Sequence, residues 1–164
     1  MGQGGTPNAI SIIKGSEHRA VTRYEWEILT MECKSMERLS VLVVDDCESI
    51  REILEMLLSR KGHRCEAAAN GAEAMLKVTQ RHFDVVITDV VMPGMDGITL
   101  TRELARQFSH LPVMVMTAQL DDGSAESAMM AGARDVIRKP FEISEFMTRL
   151  HKIVDLQNFH GTTN

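Results

Sequence analysis

No stretch of the 164-residue chain approaches the roughly 18 consecutive apolar residues that a membrane-spanning helix needs. The opening Met-Gly-Gln-Gly-Gly lacks a basic stretch followed by an apolar one, so no secretory signal is read there. Cysteine is scarce: Cys33, Cys47 and Cys65 are an odd number without metal-ligand spacing. That argues against a disulfide framework and makes a reducing cytoplasm the expected location. A redox-sensing thiol at one of the three is the functional alternative. The six histidines form neither HxH nor HxxxH and are read as surface or loop residues. Excess positive charge is lacking too. Eighteen basic residues against 23 acidic ones leave a net charge of −5, so nothing draws the chain to nucleic acid or to an anionic membrane.

What is present is an ordinary globular balance, 44% hydrophobic and 25% charged, in a length that suits one domain with an extension. Residues 1–38 differ from the rest. Met1–Asn8 is Gly-rich, with the composition of a mobile terminus. Residues 23–38 have helix-like composition, with Trp26, Leu29, Cys33 and Met36 on one stripe and Tyr24, Ile28 and Met31 opposite. Apolar residues on two sides do not make a clean amphipathic helix, so this extension is expected to be disordered to partly helical.

From Leu39 the pattern is regular. LSVLVV (39–44) reads as a buried strand. Ile50, Ile53, Leu54, Leu57 and Leu58 follow helical spacing, with Ser49 and Glu52 as a capping box and Gly62 as the stop. RCEAAA (64–69) is a weak strand. Asn70 and Glu73 offer a second capping box for a helix over 71–82. DVVITD (84–89) is a strand. Asp96 caps a helix to about Phe108. PVMVMTA (112–118) is a strand, 123–131 a short helix closed by Gly132, and DVIRK (135–139) a short strand. Ile143, Phe146, Met147, Leu150 and Val154 mark a final helix. Five β/α repeats with strands apolar on both sides imply a doubly wound α/β fold, a parallel sheet with helices on both faces. Ligands of such sheets bind at the carboxyl ends of the strands, where strand order reverses.

The strand ends carry the chemistry. The first strand ends at Asp45 and Asp46, the third at Asp89, the fourth at Thr117 and the fifth at Lys139. At about 4 Å a pair of carboxylates repels by roughly 4 kcal/mol at an effective dielectric near 20. Three of them call for a compensating charge, and oxygen ligands suit Mg²⁺. With the Lys139 ammonium and one exposed carboxylate, this is a phosphoryl-transfer set in which Asp89 is the nucleophile and Thr117 bonds a phosphoryl oxygen. Taken singly, each has a bland reading: an Asp as a turn or cap, a Lys-Pro as a loop, a Thr as a strand residue. Their joint occurrence, each at the end of a different strand and in order, does not.

Together, VLVVDD (41–46), DVVITDVVMPGMDG (84–97), PVMVMTA (112–118) and AGARDVIRKPF (131–141) resemble the receiver domain of two-component response regulators. The stand-alone chemotaxis regulators are the simplest comparison. The resemblance covers residues 39–155 and leaves 156–164 as a tail. It implies a flavodoxin-like five-stranded sheet of order 2-1-3-4-5. It also implies Asp89 as phosphoacceptor, and Mg²⁺ held by Asp46, by Asp45 as its partner, by Asp89 and by the backbone carbonyl of Val91. Thr117 matches the switch hydroxyl and Lys139 the phosphate-pairing lysine. The Lys139–Pro140 bond is expected to be cis, and Pro93 and Gly97 to shape the loop after Asp89. The implied partners are a sensor histidine kinase or a histidine phosphotransfer protein, and a downstream protein target. A homodimer through the helix-4, strand-5, helix-5 face is a further implication. Catalysis is limited to self-phosphorylation and self-dephosphorylation.

Three positions depart from common receiver patterns. Val136 stands three residues before the lysine, where many receivers have Tyr or Phe, so aromatic coupling to Thr117 is lost. Val91 and Gln119 border the attacking water's approach, where some relatives have Asn and an acid. The apolar Val91 is expected to slow self-dephosphorylation. A phosphatase of the aspartate-nucleophile type is disfavoured, since no acid stands two residues after Asp89 to protonate a leaving group. The few residues after the last helix lead us to expect a single-domain regulator acting through protein contacts. The alternatives are a phosphorelay intermediate or a phosphate sink. For residues 1–38 two readings stay open: an arm that docks, dimerises or recruits, or a start site further on, at Met31 or Met36.

Overall fold

The computed structural model describes residues 38–118 and 123–160. The helix-like stretch over 23–38, all but its last residue Arg38, and Gln119 lie outside them. Five strands alternate with five helices: β1 (Ser40–Val44), α1 (Glu48–Arg60), β2 (Arg64–Ala68), α2 (Gly71–Gln80), β3 (Val85–Asp89), α3 (Gly97–Gln107), β4 (Val113–Thr117), α4 (Ser124–Ala131), β5 (Asp135–Arg138) and α5 (Ile143–His160). All pairings are parallel, in the order β2-β1-β3-β4-β5. This is the flavodoxin-like arrangement expected. α5 runs on to His160, past the expected boundary at 155.

The strands are apolar throughout because both faces are covered. Val41 and Val43 face a core built with Leu54 and Leu58 of α1 and Phe146 and Leu150 of α5. Leu42 and Val44 face the opposite core with Ala74 and Val78 of α2, Leu100 and Leu104 of α3 and Ala128 of α4. Each fully buried Leu or Ile contributes about 1.5–3 kcal/mol relative to exposure. Among the described residues no helix is long and apolar enough to cross a membrane.

Two of the expected caps are formed. The Asn70 side chain accepts from Glu73 N–H at 2.9 Å, and the Glu73 carboxylate accepts in return from Ala69 N–H. The Asp96 side chain accepts from Thr99 N–H at 2.7 Å. The expected Ser49–Glu52 box is not formed. α1 begins earlier, at Glu48, with Cys47 as a cap that makes no side-chain bond. The acid pair enters the helix directly: the Asp45 carboxylate accepts from Cys47 N–H at 2.9 Å, two residues ahead of the predicted box. Ile53 is also displaced from its expected place in the buried stripe and is 56% exposed. Leu54 and Leu58 set the centre of the stripe, and Ile53 sits about 100° from Leu54 around the axis.

The histidines need a correction. His63 is buried, its ring 5.4 Å from that of the half-buried His151. Its Nδ1 accepts from Leu39 N–H at 3.3 Å, at the amino-terminal edge of the sheet. An imidazole that ties the entry of β1 to the entry of β2 is structural, and neither its spacing nor its neighbours announce this.

Candidate functional site

In the order 2-1-3-4 the chain leaves β1 toward β2 and leaves β3 toward β4, in opposite directions, so the crevice opens between the ends of β1 and β3. The register decides what meets there. Val44 pairs with Thr88, so the next residues, Asp45 and Asp89, sit side by side. Asp46 follows on the loop. One carboxylate oxygen from each of the three lies within 4.8 Å of the others. Asp45 is buried, Asp89 half-buried and Asp46 exposed.

Lys139, the residue after β5, closes the group from the other side of β4. Its Nζ is 2.8 Å from Asp89 Oδ1 and 3.1 Å from Asp45 Oδ2. Its backbone N–H donates to the Thr117 carbonyl at 2.7 Å, which fixes the lysine to the end of β4. Burial opposes the charge on this ammonium. The hydrogen bonds and charges of Asp89 and Asp45 outweigh that and hold its pKa above the ordinary lysine value. The Lys139–Pro140 peptide is cis, as expected.

The loop after Asp89 is shaped by close approach. A Cβ on Gly97 would lie 1.8 Å from the Asp89 carbonyl oxygen, so only glycine lets α3 start against the backbone of β3. The left-handed turn in this loop falls on Gly94, at φ +78°, beside the expected Pro93. Val91 lies in the same loop with its side chain 76% exposed. A cleft of about 380 Å³ opens beside Asp46, lined by Asn70, Pro93, Gly94 and Met95 among others.

All five strand-end residues predicted from the sequence therefore meet at one edge of the sheet. Two neighbours were not predicted. Arg51 Nη1 donates to the carbonyls of Asp45 and Asp46 at 2.8 and 3.1 Å, pinning the backbone of the acid pair. The Ser124 hydroxyl lies 3.0 Å from that of Thr117, both buried. Arg51 had a faint signal, a cation in the first turns of a helix where the dipole disfavours it. Ser124 had none.

The site suits a divalent cation. Three converging carboxylates against one ammonium leave two negative charges uncompensated, and all the available donors are hard oxygens.

Comparison with known proteins agrees with this geometry. Residues 41–151 match the response regulator receiver domain. The DNA-binding transcriptional regulator NtrC of Escherichia coli K12 is 40% identical over 119 residues, which is 73% of this chain and 25% of that protein. The response regulator MprA of a Mycobacterium strain is 35% identical over 114 residues, 70% of this chain and 50% of that protein. The chain thus spans a quarter to a half of these curated relatives. The chemotaxis protein CheY4 of Vibrio cholerae superposes with a TM-score of 0.67 at 30% identity, covering 71% of this chain and 98% of that one. With an acid crevice, a lysine bridge and a 2-1-3-4-5 sheet in the matched span, the chain belongs to the receiver-domain family of two-component response regulators.

Proposed function

We propose that this receiver takes a phosphoryl group onto Asp89 from a phosphohistidine of a sensor kinase or phosphotransfer protein, and that the product changes its protein contacts. The observation that carries this reading is the placement of Lys139 Nζ, 2.8 Å from Asp89 and 3.1 Å from Asp45, within a three-carboxylate crevice of a receiver fold. Asp89 is the nucleophile because it is half-buried and paired yet reachable from solvent, whereas Asp45 is enclosed. Its carboxylate oxygen forms the new bond to phosphorus. The phosphorus–nitrogen bond breaks, and the imidazole nitrogen keeps the electron pair and takes a proton from water.

The residues that would hold Mg²⁺ are Asp45, Asp46, Asp89 and the Val91 carbonyl. Bound there, the ion supplies positive charge against the incoming phosphoryl oxygens. Lys139 pairs with one of those oxygens once Asp89 carries the phosphoryl group as an acyl phosphate. Thr117 donates its hydroxyl proton to another. The cleft beside Asp46 gives the donor its approach. Exposed Val91 presents no polar group to a hydrolytic water, which favours a long-lived phosphoryl group.

A switch in contacts, rather than a pure relay, is favoured by the surface that α4 offers: Met129 is 50% and Met130 83% exposed. The same α4–β5–α5 face is where a homodimer would form. Incubation with acetyl phosphate and Mg²⁺, followed by intact mass, tests the reading. Wild type gains one phosphoryl group and Asp89→Asn gains none. Equal gain in both would overturn it. Passage of labelled phosphate from Asp89 onto a histidine phosphotransfer protein, with no phosphorylation-dependent partner, would make the relay the function.

A further inference from the structure

The Val136 departure leaves this receiver without an aromatic ring to carry news of Thr117 to the surface. The structure offers a different connection. Thr117 ends β4 and is 3% exposed; Ser124 opens α4 and is 9% exposed. Their hydroxyl oxygens lie 3.0 Å apart, a hydrogen bond in which either can donate. We propose that Ser124 is a positioning residue for Thr117, and that their hydroxyl–hydroxyl bond couples phosphoryl engagement directly to the first turn of α4. The proposal rests on the reading of Thr117 as the group that bonds the phosphoryl oxygen.

Three observations support the coupling. First, a threonine hydroxyl has one proton, and phosphoryl oxygens only accept. A Thr117 that donates to the phosphoryl group cannot also donate to Ser124, so phosphoryl engagement leaves only the arrangement in which Ser124 donates and Thr117 accepts. Second, α4 is weakly held by packing. Its buried face is Ser124, Ala128 and Ala131, side chains that remove little apolar area from water, while its large residues Met129 and Met130 point outward. The buried Thr117–Ser124 bond is one of the polar ties of this helix to β4. Third, its amino-terminal cap is Gly123 in the left-handed region, which makes no side-chain capping bond. A helix of eight residues with a glycine cap and small buried side chains is an element that one bond can bias. α4 also belongs to the face proposed for partner contacts, so loosening its first turn alters that surface without an aromatic switch.

The test is a double-mutant cycle with Ser124→Ala, Thr117→Val and the pair, in the full chain. Each single change removes one hydroxyl and keeps the volume close to native. Two readouts are taken: hydrogen exchange of the α4 amides of Ser127 and Ala128 without Mg²⁺, and binding of beryllofluoride in its presence. Ser124→Ala is expected to speed exchange at those amides about threefold to tenfold, the loss of one net hydrogen bond. Thr117→Val is expected to do the same, and the double variant to match either single one. Ser124→Ala, which removes the Ser124 hydroxyl from Thr117, is expected to bind beryllofluoride about threefold to tenfold more tightly, and Thr117→Val more weakly than wild type. Wild-type exchange in Ser124→Ala, or effects that simply add in the double variant, would overturn the coupling. Unchanged beryllofluoride binding in Thr117→Val would instead overturn the phosphoryl role of Thr117, whatever Ser124 does.

Discussion

Asp46→Asn is expected to stabilise the protein and to silence it. Three carboxylates converge within 4.8 Å, and Lys139 pairs with Asp89 and Asp45. Among the described residues, Asp46 forms no ion pair, so removing its charge relieves two repulsions at the cost of a longer-range attraction to Lys139. At 4.8 Å each repulsion is about 3.5 kcal/mol at an effective dielectric of 20 and about 0.9 kcal/mol at that of water. Asp46 is exposed, so the lower figure governs, and salt screens it further. Net of the Lys139 attraction, the expected gain is about 1 kcal/mol at low ionic strength, or roughly 2–6 °C in Tm for a domain of this size. The assay is urea unfolding at low salt with EDTA, repeated with Mg²⁺. Wild type gains about 1.4 kcal/mol when Mg²⁺ is at about ten times its Kd. Asp46→Asn lacks one of the carboxylates proposed to hold the ion and is expected to gain less, so the order of stability narrows or inverts. A variant no more stable than wild type in EDTA, or one that gains as much from Mg²⁺, would refute the reasoning.

Other consequences follow from single residues. Burial, aided by the neighbouring His151, holds His63 below its ordinary value of 6.5. The unfolded chain then takes up that proton first, so the His63 contribution is complete above pH 6.5 and falls as pH drops toward the lowered native value. Urea unfolding between pH 7.5 and 5 should show less loss in His63→Gln than in wild type; parallel curves would contradict this. The Cys65 thiol is pushed up to about 12, mainly by burial and further by Glu55 and Glu66. Brief iodoacetamide treatment at pH 8 should therefore mark exposed Cys47 and spare Cys65, read by peptide mass, and equal labelling would count against it. Gly97→Ala should cost about 3 kcal/mol or more, because the added carbon meets backbone that cannot move aside; a denaturation midpoint near wild type would show that the loop yields. Asn70→Ala should cost about 1 kcal/mol through the lost cap of α2, measured by the same unfolding.

Much of this architecture could be read from residue order, for physical reasons. β1, β3 and β4 announce themselves because a sheet covered on both faces must be apolar at every position, as in VLVV and VMVM. Asn70 and Asp96 are legible because a cap is a local hydrogen bond, settled within four residues. The strand-end residues are legible together because a parallel sheet aligns the carboxyl ends of all its strands. The misreadings share a cause as well. The Ser49–Glu52 box has the right spacing, but the Asp45 carboxylate, held by the end of β1, takes the Cys47 N–H and starts α1 sooner. His63 and His151 meet only because α5 returns across the sheet, 88 residues on. Ser124 meets Thr117 seven residues on, at a spacing that no rule specifies.

The central claim is that the carboxylates at the ends of β1 and β3, with Lys139, form a cation-assisted phosphoryl site on Asp89. A crystal structure of the protein with Mg²⁺ and beryllofluoride measures this most directly. The account predicts a beryllofluoride group bonded to an Asp89 oxygen and contacted by Lys139 and Thr117, beside a metal ion held by Asp45, Asp46 and the Val91 carbonyl. An empty crevice with Lys139 still bridging Asp45 and Asp89, at Mg²⁺ and beryllofluoride concentrations in the millimolar range, would contradict it.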